Sequence, residues 1–121
     1  MKTILVVDDS ETARLHVINQ FKAVGYNTIE AEDGVKGIQA VTTYNPDIII
    51  CDVNMPEMDG LTMCEHLKQM NVNIPIIMMT TESSMDMKVR GKNAGVLAWV
   101  TKPFNPDKIL AAIKKIIGDA N

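Results

Sequence analysis

Five short apolar runs recur along the chain: Ile4 to Val7, Thr28 to Ala31, Asp47 to Cys51, Ile74 to Met79 and Val96 to Val100. Their length and β-branched content predict strands. Between them, apolar residues fall at helical spacing: Ala13, Val17, Phe21 and Val24, then Val35, Ile38 and Val41, then Leu61, Cys64 and Leu67. The clearest helix is the last. Asn105 stands as its N-cap and Pro106 at its first position, Ile109, Leu110, Ile113, Ile116 and Ile117 form its apolar face, and Gly118 stops it. The helix from Ser84 to Ala94 is the weakest, with Gly91 inside it, few apolar anchors and Gly95 as its stop. Mobility is expected there.

Strict alternation of strand and helix over five units predicts an α/β fold, a doubly wound five-stranded parallel sheet with five helices, because each parallel crossover must pass over the sheet. Ile48-Ile49-Ile50 and Ile76-Ile77-Met78-Met79 are continuously apolar, as strands covered on both faces should be. The run Asn27-Thr28-Ile29-Glu30-Ala31-Glu32 alternates, which predicts an edge strand with one wetter face. No linker, repeat or low-complexity stretch interrupts the pattern, so residues 1–121 are expected to form one domain.

Composition narrows the function. A length of 121 residues suits a single core and leaves no room for an output domain, so any output is expected to pass through surface contacts. The formal net charge of -3 is spread along the chain and gives no footprint for nucleic acid or an anionic membrane. No apolar run approaches the length of a membrane span, and a cytoplasmic protein is expected. Cys51 ends an apolar run and Cys64 lies in a helical one, which reads as two buried free thiols. His16 and His66 lack metal-ligand spacing and are expected at the surface or its boundary.

In an open parallel sheet, ligands bind outside the carboxyl ends of the strands. Asp8 and Asp9 follow the first strand, Asp52 the third, Thr80 the fourth and Lys102 the fifth. Each has an ordinary use: Asp8, Asp9 and Ser10 as helix caps, Thr80 as a strand end, Lys102 as a turn residue. Together they make a different case. Two carboxylates about 5 Å apart repel by about 3 kcal/mol at an effective dielectric near 20, so three must shift their pKa values or take up a cation. An all-oxygen site suits Mg2+, which bridges to phosphoryl groups. A carboxylate that attacks phosphorus gives an aspartyl phosphate, and the charge that develops needs Mg2+, an ammonium and hydrogen-bond donors around it.

Four blocks in this order and strand context carry a resemblance that spans nearly the whole chain: Val6-Val7-Asp8-Asp9, Asp52-Val53-Asn54-Met55-Pro56-Glu57-Met58-Asp59-Gly60, Thr80, and Lys102-Pro103-Phe104. The chain resembles the receiver domains of two-component response regulators, most nearly the single-domain chemotaxis type. The resemblance implies the CheY-like, flavodoxin-like strand order 2-1-3-4-5. It implies Asp52 as phosphoacceptor, Asp9 as a direct Mg2+ ligand, Asp8 as a ligand acting mainly through water, and the backbone carbonyl of Asn54 as a further ligand. Lys102 matches the cation that pairs with the phosphoryl group, and Lys102-Pro103 the family's cis peptide. Thr80 matches the switch hydroxyl. Trp99 matches the switch aromatic, where tyrosine or phenylalanine is usual. Asn54 and Glu82, two residues beyond Asp52 and Thr80, match positions near the path of the water that removes the phosphoryl group.

The partners implied are a histidine kinase of CheA-like type and a downstream protein, with the flagellar motor switch as the expected target and a monomer as the expected state. Enteric chemotaxis regulators carry lysines early in the fourth helix and in the fifth, and those places hold Met85 and Ala112 here. A phosphorelay intermediate or an adaptor receiver is the alternative. A Mg2+-dependent phosphatase with an aspartate nucleophile would place its nucleophile after the first strand, with a second aspartate two positions on and a cap domain. A flavin-binding module would need a Ser/Thr/Gly-rich phosphate loop where Asp8-Asp9-Ser10-Glu11 stands.

Overall fold

The computed structural model describes all 121 residues. The elements run β1 (Thr3–Val7), α1 (Glu11–Ala23), β2 (Asn27–Ala31), α2 (Gly34–Tyr44), β3 (Ile48–Cys51), α3 (Gly60–Gln69), β4 (Ile76–Thr80), α4 (Met85–Asn93), β5 (Val96–Thr101) and α5 (Pro106–Ile117). All strands pair in parallel, in the order β2-β1-β3-β4-β5. The alternating β2 is an edge strand, as its pattern predicts.

The period-2 geometry of the central strands splits the core in two. Leu5, Val7, Ile49, Cys51 and Met78 face one side, where Val41, Leu61, Met63, Cys64 and Leu67 of α2 and α3 cover them. Ile4, Val6, Ile48, Ile50, Ile77 and Met79 face the other, under Val17, Ile18 and Phe21 of α1 and Ile109 and Ile113 of α5. Both cysteines are buried and free. Burial pushes the Cys51 thiol well above its ordinary pKa, and burial, with Glu65 and Asp59 nearby, pushes Cys64 up to about 12.

Three expectations need correction. Val24 does not belong to the apolar face of α1. The helix ends at Ala23, Gly25 turns the chain at a φ of 98°, and Tyr26 takes the buried place while Val24 stays exposed. Val35 is likewise exposed, because α2 packs through Gly34, Gly37, Ala40 and Val41. A Cβ on Gly37 would lie 2.6 Å from Met63 Sδ, so the helix sits closer to the core than a larger residue would allow. The third concerns β4, which starts at Ile76 and not Ile74; Pro75 has no N–H to extend the ladder, although its carbonyl accepts from Ile49 N.

Candidate functional site

Backbone bonds just past the strand ends deliver the polar side chains to one rim. Asp8 N donates to Ala31 O at 3.1 Å, Asp52 N to Val7 O at 3.0 Å, and Lys102 N to Thr80 O at 2.8 Å. Each extends a parallel ladder by one residue, so Asp8, Asp52 and Lys102 stand where the strands stop. Asp8, Asp9 and Asp52 each offer a carboxylate oxygen, and these atoms lie within 4.8 Å of one another. The helix cap that could have absorbed the aspartates is made by Ser10, whose Oγ accepts from Ala13 N.

The three carboxylates are held very differently. Asp8 is 1% exposed, accepts from Ser10 N through Oδ1 at 2.9 Å and from Lys102 Nζ through Oδ2 at 3.1 Å. Asp52 accepts from Val53 N at 2.7 Å and from Lys102 Nζ at 3.2 Å. Asp9 is exposed at the rim. Lys102 therefore sits between two carboxylates, and its pKa is raised: burial works against the ammonium, but Asp8 and Asp52 together outweigh it. The Lys102-Pro103 bond is cis.

The loop after β3 is shaped around Asp52. A Cβ on Gly60 would fall 1.9 Å from the Asp52 carbonyl oxygen, so only glycine fits there without moving that backbone. Glu57 adopts a φ of 66°, unusual for a side-chain-bearing residue, and Gly60 N donates to Val53 O. Asp59 then caps α3 by accepting from Thr62 N.

Thr80 is fully buried beside the rim, and its Oγ1 accepts from Glu82 N at 3.3 Å. Glu82 ties together several residues singled out from sequence. Its Oε1 accepts from Asn54 Nδ2 at 2.7 Å and its carbonyl from Trp99 Nε1 at 2.8 Å. Trp99 pairs with Met78 in register, two residues before the Thr80–Thr101 pair, so it lies within β5 and not at its end. Its indole is half-buried against α4, where a Cβ on Gly91 would lie 3.0 Å from Cζ3. On the outer surface Met85, Val89 and Leu97 are exposed.

Sequence reasoning named the acidic residues, Lys102 and Thr80; the fold brings Lys102 and the carboxylates together, with Thr80 joined to them only through its carbonyl, which accepts from Lys102 N. It missed Arg14, whose Nη1 donates to the Asp8 carbonyl at 2.6 Å. No local pattern marks that contact.

The donor set, three carboxylates with no sulfur or imidazole, fits a hard divalent cation such as Mg2+. No helix is long and apolar enough to cross a membrane.

Residues 4–114 match the family described as response regulator receiver domain. The chain is 36% identical over 116 residues to the alkaline phosphatase synthesis transcriptional regulatory protein PhoP of Bacillus subtilis (strain 168), covering 96% of this chain but 48% of that protein. It is 35% identical over 114 residues to sporulation initiation phosphotransferase F of the same organism, covering 94% of this chain and 92% of the relative. Among solved structures, chemotaxis protein CheY4 of Vibrio cholerae superposes with a TM-score of 0.88 at 36% identity, over 96% of this chain and 98% of that one.

Proposed function

The chain belongs to the response regulator receiver family, and on that premise we propose that it is a Mg2+-dependent phosphorylation switch with Asp52 as phosphoacceptor. A receiver is a signalling module that accepts a phosphoryl group, not an enzyme in the usual sense. The observation that carries the reading is the position of Lys102 Nζ, 3.1 Å from Asp8 and 3.2 Å from Asp52, beside the three-carboxylate cluster.

Asp9 and Asp52 would hold Mg2+ directly, Asp8 mainly through water, and the main-chain carbonyl of Asn54 would complete the set. Bound there, the ion supplies positive charge to the oxygens of the transferring group. An Asp52 carboxylate oxygen attacks the phosphorus of a phosphohistidine: the P–O bond forms as the P–N bond breaks, and the departing imidazole nitrogen keeps the electron pair and takes up a proton. Lys102 can turn its ammonium from the carboxylates to the phosphoryl oxygens. The Thr80 hydroxyl, so far an acceptor, still has its own proton to donate to one of them. Asn54 and Glu82, bonded across the mouth, stand near the approach of the water that later hydrolyses the acyl phosphate. A groove of about 240 Å³ between Ala13, His16, Lys102, Pro103 and Phe104 leaves room beside Lys102 for a kinase surface.

Movement of Thr80 would pull on Glu82 N, and through the Glu82 carbonyl on Trp99, so that α4, β5 and α5 change their common surface. Residues 1–121 would thus act as one receiver, a monomer whose output is a protein contact. The likeness to CheY4 over nearly the whole of both chains supports a chemotaxis pathway, with a CheA-like kinase and a motor-switch target. A phosphorelay intermediate is the second reading, favoured by the comparable likeness to phosphotransferase F.

Intact-mass measurement with a small acyl phosphate tests the core of this. One phosphoryl group should appear in the wild type only with Mg2+ and none in Asp52→Asn; incorporation that persists in Asp52→Asn refutes the assignment. Passage of the group on to a histidine phosphotransfer domain would select the relay reading.

A further inference from the structure

Asp8 is held at every polar atom from a different direction. Its N–H bonds β2 at Ala31, its Oδ1 takes Ser10 N, its Oδ2 takes Lys102, and its carbonyl takes Arg14 Nη1 at 2.6 Å. The Asp8 carbonyl belongs to the planar peptide that joins Asp8 to Asp9. Whatever fixes that oxygen also fixes the direction in which Asp9 leaves. Asp9 depends on this, because it is exposed and sits in a cluster whose ligand atoms lie within 4.8 Å, where mutual repulsion pushes the turn outward.

Arg14 is itself aimed. Its side chain is only 12% exposed, and its Nε donates to Glu30 Oε1 at 2.8 Å on the edge strand β2. A guanidinium presents Nε and Nη donors in a rigid plane, so one group can bind the carboxylate and the carbonyl together in a fixed orientation. A lysine ammonium has no such plane. The contact with Glu30 also places an opposite charge 2.8 Å from the guanidinium and so offsets part of what Arg14 projects onto the acidic cluster.

We propose that Arg14 is a positioning residue for the cation site: aimed by Glu30, it holds the Asp8–Asp9 peptide so that the Asp9 carboxylate points at the ion. The inference rests on the Mg2+ reading above and assigns a role to a residue outside the ligand set.

Calorimetric titration of the unphosphorylated protein with Mg2+ tests it, using wild type, Arg14→Lys and Arg14→Gln, with melting in chelator to verify that each variant is folded. Loss of a partner that orients a ligand typically weakens metal binding by about 10-fold or more. Both variants should show a loss of that order, although Arg14→Lys keeps the charge. Should Arg14→Gln not fold, Arg14→Lys alone decides. A general loosening of the fold would weaken binding in any background, whereas a role exerted through Asp9 should largely vanish when Arg14→Lys is combined with Asp9→Asn. Wild-type affinity in Arg14→Lys, tighter binding in Arg14→Gln, or a full additional loss in the double variant overturns the proposal. A wild type that takes up no Mg2+ overturns the metal reading, and this inference with it.

Discussion

At the scale of single residues, the rim carboxylates differ in how well they are compensated. Asp8 and Asp52 share Lys102 and each accept a backbone N–H, while Asp9 stands exposed in the same cluster. Asp9→Asn should therefore relieve repulsion in the absence of metal and remove a ligand in its presence. In chelator we expect a gain of roughly 1 kcal/mol, or about 4 °C in Tm, and with Mg2+ a smaller rise in Tm than the wild type shows. A variant that melts below the wild type in chelator contradicts the account. The charged residues of the site were legible in the sequence because each follows a strand that could be recognised by itself. Arg14 and the linking role of Glu82 were not, since their partners lie 16 residues away at Glu30, 28 at Asn54 and 17 at Trp99. Such contacts exist only once the sheet has set its order.

Among the elements, α5 was read to its ends, while α1 and α2 were read as helices with one apolar residue of each, Val24 and Val35, wrongly placed inside. α5 begins and ends where Asn105, Pro106 and Gly118 mark it. α2 buries a face of glycine and alanine that a search for hydrophobic residues overlooks, which is why Val35 was wrongly placed inside. α4 buries only Gly91 and is tied to α3 by the Arg90–Glu65 pair, whose two bonds are 2.9 and 2.7 Å. The tightest constraint lies where β3 passes into α3. At Gly60 even one methyl group would strike the Asp52 carbonyl, a backbone atom with no freedom to step aside. Gly60→Ala should cost about 2 to 3 kcal/mol, the range of a strongly overpacked site, and should also slow phosphorylation by displacing Asp52. Urea unfolding beside a phosphorylation time course checks both. An unchanged urea midpoint would mean that the loop has room to move.

For the molecule as a whole, several groups gain protons relative to the unfolded chain at alkaline pH. Burial raises Cys64 to about 12, burial followed by Asp119 raises Tyr26, and Lys102 is raised because Asp8 and Asp52 outweigh its burial. A group with a raised folded pKa contributes stability that is complete below its unfolded value and is lost as pH climbs toward the folded one. Stability should therefore fall from about pH 9, by up to about 1.4 kcal/mol per pH unit from Cys64 alone. Urea midpoints at pH 8, 9, 10 and 11 follow that fall, and Cys64→Ala should make its first part shallower without abolishing it, because the buried Cys51 thiol is raised as well. A midpoint constant to pH 11 contradicts it. The central claim is that a phosphoryl group on Asp52 reshapes the α4–β5 face through Thr80, Glu82 and Trp99. Trp99 is the chain's single tryptophan, half-buried, bonded to Glu82 and packed on α4, so its emission reports the surroundings of this one indole. The most direct test records its emission and acrylamide quenching while intact mass follows phosphorylation with Mg2+. The account predicts a change in intensity or peak position that tracks the phosphorylated fraction and is lost in Thr80→Ala, which should still accept phosphate. Flat emission and quenching in a fully phosphorylated wild type would contradict it.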